Sequence, residues 1–538
     1  MATVKLIQNI AGSLSRSNMV KVGLGDALNV YPETQDITEH STALMMRSIC
    51  GARGFSGHLD GDCRGLYRVS RGRDGEPALY GVFGNTLYLF DKDGTTHAIQ
   101  RIETASSECR MVETGGYGSA HPHLVIVDGV NCYAVDTTLT VVEQRADCRT
   151  IELPVRVTDE FQRIEPTHIA YLFGYLIIND KLTDAFYCSI QYPFETTVHD
   201  PVTGTDVIDY DIWRLGSTNN VGFITYSEWC PDNTLALCSN GSRLWTFGSR
   251  SWQSFSYNDD KNLPFTSPDN AAGNIGIKAP NSLAMLGQTV IWLGSSDVGE
   301  DGVFMIRDNS IARVSTGDIE RELSRMANPE NAYASIWQEH RHVFYAVTFQ
   351  DSKMTYVYDV TEDKWHRRAS YDVKNKLTYW RYSHAVFAYN RTMVADGADL
   401  CYLDENTFEE HDGRPILKLR RGGVLTNTDC PFYIDSAEIV CNNGQQDTDL
   451  FNLVDGKAKT QPDTELNPRI QIRYSWDGAT FSDYEDYYLG RVGNYDWSTT
   501  AWHLGCGRFF TLEISTTEKV PFCIQSLKIA FSPTSNFI

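Results

Sequence analysis

A strand that stops at a turn-forming or polar residue recurs along most of this chain. "LYLFD" ends at Asp91, "CYAVD" at Asp136, "LIIND" at Asp180, "LWTFG" at Gly248, "VFMIR" at Arg307, "TYVYD" at Asp359 and "LCYLD" at Asp404. Successive copies end 44 to 68 residues apart. Most follow another strand and a tight turn, at Gly84-Asn85, Asp128-Gly129, Asn240-Gly241, Gly287-Gln288 and Asp396-Gly397. Glycine and asparagine accept the positive φ that two-residue hairpins require, so each pair is a hairpin signal. A hairpin module repeating at about 40–50 residues is the pattern of propeller blades. One blade alone has a face it cannot bury. Radial stacking buries that face and leaves only short edges exposed. Seven copies predict six or seven blades over residues 61–415. A large β-sandwich with chance hairpins is the competing architecture.

The rest of the chain has a different texture. At 538 residues it is too long for one ordinary core. Its 28 Tyr, 24 Phe and 11 Trp suit a pleated, half-buried surface. Beyond residue 415, "RIQIRYSWDGATFSDYEDYYLG" and "RFFTLEISTTEKVPFCIQSLKIAFSP" alternate apolar and polar residues without the blade repeat. That pattern predicts a C-terminal β-sandwich over 416–538. Residues 1–60 carry little periodicity and read as an N-terminal arm and linking segment. The expected class is all-β, a β-propeller followed by a β-sandwich. One helix interrupts it in "VSTGDIERELSRMANP", with Thr316 or Ser315 as cap, Ile319, Leu323 and Met326 on one face, and Pro329 at its end.

Charge and motif content narrow the function. A formal net charge of −22 argues against a protein that grips nucleic acid through its phosphates; solubility is the plain reading of it. Thirteen cysteines include no C-x-x-C pair, and Cys50, Cys132, Cys188, Cys238 and Cys401 sit in apolar runs, as free buried thiols do. "MATVKLIQNIAGSLSRSN" lacks the apolar core of a secretory signal, and no run is long enough to cross a membrane. The expectation is a soluble protein made in a cytoplasm, without membrane insertion. "GLGDAL" and "GARGFSG" lack the strand-to-helix setting of dinucleotide loops and the Gly-Lys-Ser/Thr of phosphate loops.

Four stretches offer sharper chemistry, each beside a plainer explanation. "SWDGATF" is similar to the Asp-box turn of sialidases, but a turn tipped by Asp477-Gly478 accounts for it. "EHRH" is expected to place His340 and His342 on one face of a strand, and "HPH" does likewise for His121 and His123. Such pairs can bind a metal, but neither has a third ligand at a recognisable spacing. Arg414, Lys418, Arg420 and Arg421 form the densest basic stretch, read as a solvated face or linker, or as a subunit or phosphate contact. No residue is assigned a catalytic, cofactor-binding or metal-ligating role, no cofactor is expected, and no enzyme activity is assigned.

The segments in order resemble a known family, the packaged-DNA stabilisation proteins of short-tailed, P22-like phages, also called tail hub or nozzle proteins. The carrying stretches are "ALMMRSICGARG", "RGLYRVSRG" leading into "ALYGVFGNTLYLF", "RLWTFGSRSWQSF", "TVIWLGSSDVGEDGVFMIRDNSIARVSTGDIERELSRM", "HVFYAVTFQDSKMTYVYDVTEDKWHRR", "IQIRYSWDGATFSDYEDYYLGRVGNYDW" and "WHLGCGRFFTLEIS". Gln253 stands where that family usually has Glu, and residues 190–216 and 441–468 read as insertions. The resemblance implies a virion tail component without enzymatic activity. It implies a homo-hexameric ring below the portal and adaptor that holds the packaged genome. The ring would carry a needle or plug, with fibres or spikes nearby, and let double-stranded DNA pass non-specifically at ejection. A propeller-type glycan hydrolase or glycan-binding tail protein is the alternative, and a hydrolase would need paired carboxylates at a cleft.

Overall fold

The computed structural model describes residues 4–8, 10–16, 24–38, 41–115, 119–156, 159–199, 204–214, 222–260, 263–269, 271–296, 301–307, 309–426, 430–444, 453–454, 457–458 and 467–534. Among them seven sheets are arranged around one axis. Blade 1 is Cys63–Val69, Ala78–Phe83, Thr86–Phe90 and Thr96–Arg101, each antiparallel to the next. Blade 2 is Arg110–Glu113, His123–Val127, Cys132–Asp136 and Arg149–Ile151. Blade 3 is Ile169–Leu172, Tyr175–Asn179, Ala185–Cys188 and Phe223–Tyr226, with the hairpin Thr197–His199 and Asp206–Ile208 inserted before its last strand. Blade 4 is Ala236–Asn240, Arg243–Phe247 and Trp252–Tyr257, edged by Phe265–Thr266 and Ala272–Gly273.

Blade 5 has a split first strand, Ile275–Ile277 and Ala284–Leu286, both paired to Thr289–Ser296, then Asp301–Arg307 and Ser310–Arg313. Blade 6 is Tyr333–Glu339, His342–Phe349, Met354–Asp359 and Lys364–Tyr371. Blade 7 is Ser383–Ala388, Arg391–Asp396 and Asp399–Asp404, completed by Gly51–Gly54 from before blade 1. The first strands of blades 7 and 1 lie against each other, so the ring is closed.

Packing explains why the blade strands read as unbroken apolar runs. His123–Val127, Cys132–Asp136 and Tyr175–Asn179 are buried at every position, because each face meets a neighbouring blade. Each of the seven inter-blade seams has its own apolar cluster. Leu79, Phe83 and Phe90 of blade 1 meet Met393, Ala395 and Leu400 of blade 7 across the closing seam. Tyr80, Val82 and Leu89 meet Leu124, Ile126 and Val135 on the other side of blade 1. The remaining five seams repeat the arrangement.

An eighth cluster is the core of a β-sandwich. One of its sheets holds Val30–Thr38, Ser41–Ser48, Cys523–Pro533, Phe432–Cys441 and Thr499–Trp502. The other holds Leu24–Leu28, Lys418–Thr426, Phe509–Thr516, Arg469–Ser475 and Glu485–Tyr488. Residues expected as an arm thus supply strands to both sandwich sheets and to blade 7. Gly25 and Pro32 inside these strands, and Asn29 between two of them, hid their periodicity. The second sandwich sheet continues into blade 6, where Leu28 pairs in parallel with Arg367. Asn29 pins this junction. It holds φ at +54°, a region that suits asparagine, and its amide bonds Ala369 O (2.9 Å), Leu417 O (2.8 Å) and Ala369 N (3.0 Å).

The helix is Gly317–Leu323, capped by Thr316, whose hydroxyl accepts from Ile319 N. Ile319 and Leu323 are buried and Met326 packs beside them. A second helix, Val141–Asp147, was not expected, although Thr140 and Glu143 spell a complete capping box. The hairpins at Asn240 and Asp396 close one residue later than expected, on Gly241-Ser242 and Gly397-Ala398. Asp128-Gly129 lies in a four-residue loop, where the Asp128 carboxylate accepts from Val130 N and Asn131 N. All thirteen cysteines are free thiols, and the five named above are buried. Among the described residues no helix is long and apolar enough to cross a membrane.

Candidate functional site

The first strand of every blade contributes to a cavity of about 1300 Å³ on the propeller axis. Its charged wall carries Arg47, Arg68, Arg110 and Arg341 against Glu33, Glu108 and Glu405. A locally cationic cavity therefore sits inside a chain of net charge −22.

Side chains cross this cavity at two places. The split in blade 5 creates the first crossing. Pro280 has no amide hydrogen to donate to a ladder, and the 3-10 turn Pro280–Ser282 interrupts the strand. The Tyr345 hydroxyl donates to Ser282 O (2.9 Å) and fixes the turn. Arg110 of blade 2 reaches Asn281 O at 3.4 Å and Leu283 O at 3.5 Å on the opposite wall. Burial pulls the Arg110 pKa down, opposed by the Glu108 charge.

The second crossing joins blade 7 to the start of blade 2. A register shift between Ser383 and Val386, with φ +53° at His384, aims the imidazole inward. Its Nε2 meets Glu108 Oε2 at 2.9 Å and its Nδ1 meets Ser383 Oγ at 2.8 Å. Burial alone would lower the His384 pKa. The charge and hydrogen bond of Glu108, together with Cys63, outweigh it, and the net shift is well upward. Burial likewise raises Glu108 while His384 lowers it, and the net shift is downward. The pair is ionised at neutral pH. A base paired this way holds its proton, so the Ser383-His384-Glu108 array is an ionic tie and not a nucleophile with a free base.

His168 lines the same cavity, with Nδ1 3.1 Å from Thr167 Oγ1. Burial, then the Arg110 charge, pushes its pKa down to about 3. The unfolded chain, with an ordinary histidine pKa near 6.5, therefore binds this proton more readily than the folded one, and stability falls as pH drops below about 6.5. Between pH 7 and pH 5 this costs about 2 kcal/mol. A His168→Gln variant is expected to lose that much less over the same interval, read from urea midpoints at the two pH values. Equal losses in both proteins would refute the assignment.

The residues singled out in the sequence lie elsewhere or are already satisfied. "EHRH" is a hairpin turn and not one face of a strand. Glu339 pairs with His342, while His340 (φ +49°) and Arg341 (φ +72°) form its tip. His340 Nδ1 faces Arg47 Nη2 at 3.3 Å; buried His342 meets Asp359 at 2.7 Å. His121 meets Asp136 at 3.2 Å and buried His123 stacks on Phe194. The basic stretch is not a surface patch. Lys418 is buried and donates to Glu518 O and Val520 O, and Arg420 is buried and donates to Ile10 O and Asp26 O. Arg421 pairs with Glu513, and Arg414 with Asp412. Asp477 accepts from Ala479 N (2.8 Å) and Thr480 N (2.7 Å), which lower its pKa to about 2, as a structural turn requires. Most of the 441–468 stretch read as an insertion lies outside the described residues.

Residues 203–408, from the blade 3 insertion through blade 7, match the family model described as "Bacteriophage P22 Gp10, beta-propeller". The match supports a phage-related family for this part of the chain. No curated protein matches. Solved structures similar to the chain include the N-terminal domain of Nup159, 8% identical with TM-score 0.35, covering 70% of this chain and 98% of that one. The AfRom2 CNH domain is 9% identical with TM-score 0.35, covering 66% and 99%. Kluyveromyces lactis Hsv2 is 11% identical with TM-score 0.26, covering 59% and 85%.

Proposed function

We propose that this chain is a structural tail protein of a short-tailed phage, the nozzle or hub that retains the packaged genome and conducts it at ejection. The observation that carries the reading is the match of residues 203–408 to the P22 Gp10 propeller family. In this reading copies assemble as a homo-hexameric ring below the portal and adaptor, carry the needle or plug, and neighbour fibres or spikes.

Two physical features support it. A duplex, whose major groove alone is about 12 Å wide, cannot thread an axis crossed by Arg110 and by the Glu108–His384 pair. DNA would pass between copies and not through any one propeller. The net charge of −22 suits the wall of such a duct, since each phosphate a wall neutralises adds affinity through counterion release and would slow passage.

Particles assembled without this chain test the reading. Heads that fill with DNA and then leak it are expected. Particles that retain DNA and infect normally would remove the proposal.

A further inference from the structure

The ring closes where a strand from early in the chain joins blade 7, and one side-chain cluster sits on that joint. After Gly51–Gly54 the backbone wraps the tip of the blade's last hairpin. Phe55 N, Leu59 N and Cys63 N donate to Leu400 O, Ala398 O and Gly397 O at 2.8, 3.0 and 2.8 Å. Asp396 and Asp399 flank the turn at that tip, and His411 arrives from the loop leaving the blade.

One ligand-capable atom from each of the three lies within 4.8 Å of the others. His411 Nε2 stands 3.7 Å from an oxygen of Asp396 and 3.7 Å from an oxygen of Asp399. A protonated imidazole paired with a carboxylate would close to about 2.7–2.9 Å on one of them. An equal separation beyond hydrogen-bond range instead suits two donors around one ion with bonds of about 2.0–2.2 Å.

Each donor is also held from outside. His411 Nδ1 faces the Tyr382 hydroxyl at 3.3 Å. Asp399 Oδ1 meets His58 Nδ1 at 2.8 Å, leaving Oδ2 turned to His411. Arg381 Nη2 pairs at 2.5 Å with Asp396 Oδ2, the same oxygen that faces His411, so that oxygen would be shared between the guanidinium and the ion, and Arg381 Nη1 meets Asp412 at 2.7 Å. Such outer partners orient metal ligands and fix which ring nitrogen is free. The Asp396 and His411 side chains are only 15% and 11% exposed, while Asp399 at 35% leaves a path for an ion.

We propose that Asp396, Asp399 and His411 bind one divalent transition-metal ion of the zinc class, and that the ion locks the ring closure. An imidazole with two carboxylates suits zinc better than calcium or magnesium, which prefer oxygen-only shells. The ion joins the hairpin of blade 7 to the loop leaving it, beneath the wrapped segment that carries His58.

The test uses the full chain, treated with chelator and titrated with Zn²⁺ by calorimetry, with thermal melts of both forms. One equivalent is expected to bind at micromolar or tighter Kd and to raise Tm by about 3 °C or more. His411→Gln and Asp399→Asn are each expected to lose that equivalent and the Tm response. His58→Gln should weaken binding about 10- to 100-fold. Should one ligand variant fail to fold, the other is read in the same way. A wild-type chain with no stoichiometric Zn²⁺ binding and an unchanged Tm overturns the proposal. So does binding that persists undiminished in a folded ligand variant, which would point to thiols.

Discussion

Replacing Arg368 with methionine is expected to destabilise the propeller by about 3–5 kcal/mol, the range seen when one partner of a buried ion pair is removed. Arg368 is fully buried in blade 6 and lies 3.4 Å from the equally buried Glu339. Its guanidinium sits 4.9, 4.8 and 5.0 Å from the ring centres of Trp337, Phe344 and Trp380, in the seam between blades 6 and 7. Burial pushes the Glu339 carboxyl up, yet the Arg368 charge and the Trp337 N–H turn the net shift downward. Without the guanidinium a carboxylate is stranded in an aromatic box. The double variant Arg368→Met/Glu339→Gln should recover much of the loss, because the stranded charge is gone. Arg368→Lys should remain well below wild type, since an ammonium cannot stack as a planar fork does. Urea midpoints of the four proteins check this. A single Arg368→Met variant within 1 kcal/mol of wild type would refute it.

The second large effect lies at the closing strand. Gly51 pairs with Asp404, and its amide donates to Thr407 O at 2.5 Å. A Cβ placed there would lie 2.1 Å from Glu409 O and 2.8 Å from Glu409 N, both backbone atoms with no flexible end to swing away. Gly51→Ala is therefore expected to cost about 3 kcal/mol and to expose residues 51–62 to limited proteolysis. Gly54, three residues on in the same strand, has nothing within 4 Å of the same added atom. Gly54→Ala should stay within about 0.5 kcal/mol of wild type. Equal effects at the two glycines would contradict the closure described here.

The blades were legible in the sequence for a physical reason. Strands buried on both faces read as unbroken apolar runs, and tight turns leave Gly and Asn between them. The repeated strand is nonetheless not the same strand in every blade. It is the third in blades 1, 2, 5, 6 and 7 but the second in blades 3 and 4. That change of position, with the hairpin inserted in blade 3, accounts for the uneven spacing. The closing strand, "GARG", could not be read, because four residues with two glycines carry no pattern and only the pairing with Asp399–Asp404 defines it.

The axial site was illegible for a different reason. Arg110 and Glu108 belong to the start of blade 2 and His384 to blade 7, and Glu108 and His384 are 276 residues apart. No local spacing joins them. The basic stretch misled because strand alternation turned Lys418 and Arg420 inward onto backbone carbonyls. The histidines of "EHRH" misled because His340 lies in the hairpin turn and only His342 in a strand.

Imaging intact virions at a resolution that shows individual blades is the most direct measurement. A ring of seven-bladed propellers below the portal is expected, with DNA density between the copies and each propeller axis closed by its own side chains. Virions with no such ring, or DNA density running through the axis of a propeller, would contradict it.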